Sequence, residues 1–165
     1  MQIRYFGEEK FEIKTGDVTV YLGDKISIGD FVLPGAGEYE KGGVFIEGIP
    51  DDGSTIYVIN AEDMRLCYLG KVSHELKEAE TKEIGAVDIL FVPLGGNGSA
   101  DLKLSLQNIS KIDPRIVIPM LYSDLVEFKK SEGTIEEDME VLKIKKIDLP
   151  EDERRNIILN VVGKK

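Results

Sequence analysis

Two short stretches of the chain, residues 87–92 (Val-Asp-Ile-Leu-Phe-Val) and 115–120 (Arg-Ile-Val-Ile-Pro-Met), are apolar almost without interruption. A strand with one face in water alternates apolar and polar residues, so runs this short and this continuous predict strands covered on both faces. Such strands need a packed layer on each side, which the rest of the chain must supply. The first seventy residues offer strands: Phe11, Ile13, Val18, Val20 and Leu22 alternate with polar neighbours around a Thr15-Gly16-Asp17 turn. Further turns are expected at Gly35-Ala-Gly37, Lys41-Gly-Gly43, Asp51-Asp-Gly-Ser54 and Asn60-Ala-Glu-Asp63, the last between strands at 55–59 and 64–69.

Helical spacing begins only after Ser73. Ser73 is the expected cap of a helix over 75–84 that stops at Gly85. Ser99 or Asp101 caps a second, whose Leu102, Leu104, Leu106, Ile109 and Ile112 mostly share one face. Ser123 or Asp124 opens a short third helix through Lys130, ending before Gly133. Residues 142–147 and 156–162 read as closing strands joined by an acidic connector. With no linker or low-complexity stretch, residues 1–165 are expected to form a single α+β domain.

Composition narrows the function. A net charge of −10 argues against a nucleic-acid partner, since phosphate neutralisation supplies most of the non-specific affinity. No apolar run approaches the ~18 residues needed to span a bilayer, so no membrane partner is expected. The one cysteine, Cys67, cannot pair within the chain, and Met1-Gln-Ile-Arg-Tyr5 runs straight into a strand pattern without a leader. A cytoplasmic location is the expectation. The chain also holds a single histidine, His74.

Four segments follow known patterns in order. Ile3-Arg-Tyr-Phe-Gly7 with Phe11-Glu-Ile13 is similar to W-x-G-H-S-x-F-x-I, with Glu8 at the His. Residues 37–50 (Gly-Glu-Tyr-Glu-Lys-Gly-Gly-Val-Phe-Ile-Glu-Gly-Ile-Pro) match G-E-Y-E-x-x-G-V-x-I-x-G-I-P most specifically. Residues 66–74 resemble H-L-G-D-x-G-H with Lys71 at the metal-holding Asp. Residues 87–96 and 114–122 resemble V-D-x-L-x-x-P-x-G-G and P-x-I-V-I-P-M-H-Y, with Leu121 at the terminal His. Together these segments, spanning residues 2–122, resemble the metallo-β-lactamase superfamily, in particular its small UlaG-like branch. The resemblance implies an αββα two-sheet sandwich, truncated on the N-terminal side with helices mainly in the C-terminal half. It also implies descent from hydrolases that use Zn, Mn or Fe. Between Asp24 and Gly35, where relatives carry a T-H-x-H-x-D-H metal loop and a following helix, nothing similar is present.

Glu8, Lys71 and Leu121 are therefore degenerate ligand positions. A hydrolytic zinc centre needs about three protein ligands and an open position. One His and one Cys cannot furnish a His-dominated set, and an ammonium group at 71 repels a divalent ion. The expectation is no metal and no other cofactor, in a non-catalytic pseudoenzyme acting as a binding or structural subunit. Glu8 is expected to face Lys71 as a replacement ion pair. The alternative is a cytoplasmic metal-dependent hydrolase with an unusual site, from Glu38, His74 and Asp101 or from ligands shared across a dimer. Its substrate would be a phosphodiester, a lactone or a sugar-derived ester. The loop Gly95, Gly96, Asn97, Gly98 and Ser99 is a third candidate, for a small anion held by backbone amides at a helix start, although it lacks P-loop spacing. Because the N-terminal strands have no helix to cover them, a homodimer burying that sheet or the former metal pocket is expected.

Overall fold

Period two in the first part of the chain builds an antiparallel sheet. In the computed structural model, which describes residues 1–164, β1 (Gln2–Gly7), β2 (Lys10–Thr15), β3 (Val18–Leu22), β4 (Ser27–Ile28) and β5 (Phe31–Val32) follow one another as a meander. Their inward residues Ile3, Tyr5, Phe11, Ile13, Val20, Leu22 and Ile28 are buried, while Arg4, Phe6, Lys14 and Tyr21 keep varying exposure on the other face. A second sheet starts at β6 (Gly37–Lys41), β7 (Val44–Asp51), β8 (Ser54–Ala61) and β9 (Met64–Tyr68), all antiparallel neighbours.

From β9 the connections cross over through helices, as parallel pairing requires. After β9 come α1 (Glu78–Ile84), β10 (Ile89–Pro93), α2 (Leu102–Ile112), β11 (Ile116–Met120), α3 (Val126–Glu132) and β12 (Ile135–Met139). Then β13 (Val141–Lys143) returns to pair with β1 in the first sheet, and β14 (Arg155–Leu159) inserts between β11 and β12 in the second. The orders are β13-β1-β2-β3-β4-β5 and β12-β14-β11-β10-β9-β8-β7-β6.

β10 is buried along its whole length. Its Ile89 and Phe91 join the core between the sheets, and its Leu90 and Val92 join a second core that holds Ile84, Ile109, Ile112 and Phe128 of the three helices. β11 divides likewise, Ile116 and Ile118 to one side and Val117 to the other. The layers are thus sheet, sheet, helices. The α+β two-sheet sandwich truncated on its N-terminal side is the fold observed, and the three α-helices of the described residues all follow residue 77.

Several boundaries differ from the sequence expectation. α1 starts at Glu78, not 75, because Ser73 does not cap it; the Lys77 N–H donates to Glu80 Oε2 at 2.7 Å instead. The preceding residues are held extended by Asn108, which accepts from the Leu76 N–H at 2.8 Å and donates to the His74 carbonyl at 3.0 Å. The strand expected over 142–147 ends at Lys143, and a 3-10 turn at Lys146–Asp148 leaves Ile147 88% exposed. Among the described residues no helix is long and apolar enough to cross a membrane.

Phe91 joins the layers most directly: it is fully buried, with its ring centroid 4.7 Å from that of Phe11 in the facing sheet. Phe91→Ala is expected to cost about 3–5 kcal/mol of stability, read as a lower urea midpoint with unchanged slope.

Candidate functional site

The carboxyl ends of β9, β10 and β11 lie side by side, and the candidate residues leave from them. At β11 the chain turns through Leu121, whose backbone is left-handed (φ 52°). Its N–H donates to the Glu8 carbonyl at 3.0 Å, and the Tyr5 hydroxyl donates to the same oxygen at 2.8 Å. Glu8 and Leu121 are therefore adjacent, but they meet through backbone. The Leu121 side chain is buried in the apolar core, and the Glu8 side chain points to solvent and pairs with Lys10 at 3.4 Å.

Lys71 does find a carboxylate, and it is Glu9 rather than the expected Glu8. Parity explains the correction: on the β1–β2 hairpin Glu9 shares the inward side with Phe11 and Ile13, and left-handed Glu8 (φ 53°) turns outward at the tip. Lys71 Nζ lies 3.1 Å from Glu9 Oε1 and 3.2 Å from Asp24 Oδ1. These bonds, Glu9 first, hold the ammonium above its ordinary pKa. The Glu9 side chain is only 4% exposed, and its Oε2 has no hydrogen-bond partner. The three groups line a cavity of about 390 Å³ together with Leu33, Tyr57 and Tyr68. The fold family implies a metal here, and the residues present do not fit one. An ammonium already balances the carboxylates there, so a divalent ion would meet a positive charge.

His74 follows Lys71 by three residues. Its Nδ1 is 2.9 Å from the Glu75 carbonyl and its Nε2 is 2.6 Å from Asp51 Oδ1. Both ring nitrogens thus face acceptors, which the imidazolium satisfies with two N–H groups. The histidine is held above its ordinary pKa by the Glu75 carbonyl first and Asp51 second. Asp51 lies below the usual carboxylate range: burial pushes it up, and the hydrogen bonds from His74 and Ser54 outweigh that. Ser54 Oγ donates to Asp51 Oδ2 at 3.0 Å and lines the Lys71 cavity.

The alternative trio of Glu38, His74 and Asp101 is not assembled as a ligand set. Among the described residues, the one group of three or more His, Cys, Asp or Glu whose ligand atoms lie within 4.8 Å of one another is Asp51, His74 and Glu80. Glu38 is exposed on β6. Asp101 caps α2, accepting from the Leu104 N–H at 2.9 Å. That carboxylate takes the place an anion would take at this helix start, and in the glycine loop the Gly96 N–H donates to the Leu121 carbonyl at 2.7 Å. Any side chain at Gly96 would fall 2.6 Å from that oxygen, so the loop is closed on β11 by a contact only glycine allows. Gly95, Asn97, Gly98 and Ser99 complete that turn, where Ser99 Oγ is buried without a partner. Buried Cys67 has its thiol pushed up to about 12 by desolvation, which leaves it inert at neutral pH.

Glu9, Asp24, Asp51 and Glu80 were not singled out by sequence. Strand parity was a usable signal for Glu9; Asp51 ends β7, Asp24 lies in a bend, and they meet partners 23 and 47 residues away, a separation no local pattern encodes.

Comparison with known proteins gives one consistent picture. A family model described as the beta-lactamase superfamily domain matches residues 8–121, more than half of the chain. A UPF0173 protein of Pyrococcus furiosus is 37% identical over 71 residues, covering 40% of this chain and 33% of that protein. A UPF0173 metal-dependent hydrolase of Carboxydothermus hydrogenoformans is 46% identical over 41 residues, covering 25% of this chain and 18% of that protein. The matched stretches thus span a third or less of these curated relatives. Among solved structures, a candidate Zn-dependent hydrolase of the metallo-beta-lactamase superfamily from Thermotoga maritima superposes with a TM-score of 0.84 at 22% identity, covering 97% of this chain and 100% of that one. A metallo hydrolase from Ignicoccus hospitalis gives 0.60 at 14% identity, covering 79% and 89%. At these identities the structural likeness is one of fold.

Two outcomes test the electrostatics. Lys71→Met strands a buried carboxylate, which costs about 1–3 kcal/mol; adding Glu9→Gln to the same chain restores much of the melting temperature. For His74 the folded pKa is raised, so its stabilisation is fully present below about pH 6.5 and is lost as pH rises through the folded value. For Asp51 the folded pKa is lowered, so its share is lost only as pH falls through that value. The melting-temperature gap between wild type and His74→Gln is therefore widest in mildly acidic buffer and narrows above neutrality.

Proposed function

The chain belongs to the beta-lactamase superfamily domain family, and we propose that it is a non-hydrolytic member whose former metal locus works without metal, as a binding or structural subunit. The observation that carries this reading is Lys71 Nζ placed between Glu9 and Asp24. A metal-bound water is the nucleophile such a fold would need, and the carboxylates that would hold the metal are already balanced by an internal ammonium. Leu121, at the second altered position, is buried in the apolar core and brings no side-chain donor.

The subunit role is supported by the outer face of the first sheet. Phe6, Tyr21, Phe31 and Val32 are each 44–50% exposed there and along its β5 edge, and the helices pack on the other sheet. A homodimer over this face or the cavity beside Lys71 is the assembly proposed. A cytoplasmic location accompanies it.

A second reading, a metal-dependent hydrolase acting on a phosphodiester, lactone or sugar-derived ester, is favoured by one relative described as a metal-dependent hydrolase and by the Asp51, His74, Glu80 group. Assays of chain loaded with Zn2+, Mn2+ or Fe2+ on a nitrophenyl phosphodiester, a lactone and a sugar ester separate the two. The non-hydrolytic reading expects rates equal to buffer with metal. Metal-dependent turnover that Glu9→Gln with Asp24→Asn, or His74→Gln, abolishes would instead establish the hydrolase. Light scattering at tens of micromolar is expected to give twice the 18.4 kDa chain mass; the single mass would remove the dimer.

A further inference from the structure

We propose that Asp51, His74 and Glu80 form a binding site for one divalent transition-metal ion, with Zn2+ as its reference ligand, separate from the locus at Lys71. The three ligand atoms lie within 4.8 Å of one another. One imidazole nitrogen with two carboxylate oxygens is a donor set suited to zinc and to its neighbours in the first transition row.

The supporting bonds make this more than an exposed group of acids. A metal-binding histidine characteristically donates its other ring N–H to a carbonyl or carboxylate, which fixes the tautomer and aims the free lone pair. Here Nδ1 meets the Glu75 carbonyl at 2.9 Å, so Nε2 is the ligating atom. It is directed at Asp51 Oδ1, 2.6 Å away, where the imidazolium donates its proton, and a divalent ion would take the place of that proton. Asp51 is anchored by Ser54 Oγ on its other oxygen, and Glu80 is anchored by the Lys77 N–H at 2.7 Å. Each ligand therefore has its own fixed support. Accommodating an ion at about 2.0–2.1 Å from nitrogen and oxygen requires the His74 and Asp51 atoms to part slightly, and the 26% exposed His74 side chain has room to move away from the 2% exposed Asp51.

The ligands come from three pieces of chain: the end of β7, the loop leaving β9 and the first turn of α1. An ion would tie the β7–β8 hairpin to the helix layer. Three protein ligands leave a position for water or for a group donated by a bound molecule, and Ser54 places this point at the rim of the Lys71 cavity.

The test uses full-length chain stripped with chelator, dialysed, and titrated with ZnCl2 by calorimetry, with bound metal counted by elemental analysis. The expected result is one ion per chain, with affinity reduced about tenfold or more by Asp51→Asn, His74→Gln and Glu80→Gln. The His74 ring signals of the wild-type chain, followed by NMR, should shift on adding Zn2+; this readout needs no variant to fold. No stoichiometric binding, unmoved His74 signals, or affinity that survives His74→Gln would each overturn the proposal. Absence of binding leaves the non-hydrolytic reading of the Lys71 locus intact. Zinc retained by His74→Gln but lost from Glu9→Gln with Asp24→Asn would overturn both.

Discussion

Burial of β10 and β11 on both faces is the constraint from which the remaining architecture follows. Ile89, Phe91, Ile116 and Ile118 demand apolar partners on one side, and Leu90, Val92 and Val117 demand them on the other. A meander of short strands answers the first demand and three helices the second. Parallel pairing then places every exit loop of the strands at one end of the sheet, the end where open α/β sheets gather their ligands. Lys71 and His74 leave from β9, the glycine loop from β10 and Leu121 from β11. The candidate groups are neighbours because the central strands had to be covered, whatever chemistry the loops now hold.

Electrostatics at that end follow from an acidic chain burying carboxylates. Glu9 and Asp51 are the two acids sunk deepest there, with side chains 4% and 2% exposed. An isolated buried carboxylate costs several kcal/mol, so each requires a positive partner with good geometry. The loop after β9 supplies both, an ammonium at Lys71 and an imidazolium at His74, three residues apart. The two partners differ in kind. Lysine keeps its proton at any physiological pH, whereas histidine can exchange its proton for another cation.

Where local pattern and tertiary demand agree, the sequence was legible. Alternation located the β2–β3 hairpin, continuous apolar runs located both buried strands, and glycines at 85 and 133 ended α1 and α3 as expected. β12 escaped because Ile135-Glu-Glu-Asp-Met139 is acid-rich at a sheet edge, where charge protects an unpaired backbone rather than filling a core. The start of α1 escaped because Asn108, 32 residues away, binds the backbone of Leu76 more effectively than Ser73 could cap it. At the candidate site the sequence pointed to Lys71 as a cation awaiting a carboxylate, and the structure pairs it with Glu9 and Asp24. The sequence named the wrong glutamate because a left-handed residue at the hairpin tip decides which of Glu8 and Glu9 turns inward.

Exposed apolar groups are not spread evenly over the edges and faces of the sheets, and this bears on how the chain would associate. β12 and β6 end the second sheet with charged residues, Glu136, Glu137 and Asp138 on one and Glu38, Glu40 and Lys41 on the other. The first sheet ends in β13 and β5, only three and two residues long. Short or charged edges resist strand-to-strand pairing between chains. The outer face of the first sheet has no such protection: Phe6 and Tyr21 stand beside Arg4, Lys10 and Glu12, apolar groups set among both signs of charge. A helix in that place would bury the aromatic rings and let the charged side chains reach water around it. With the helices committed to the second sheet, the same requirement can be met by another surface of like character, which favours the face over the edge as the route to the proposed dimer.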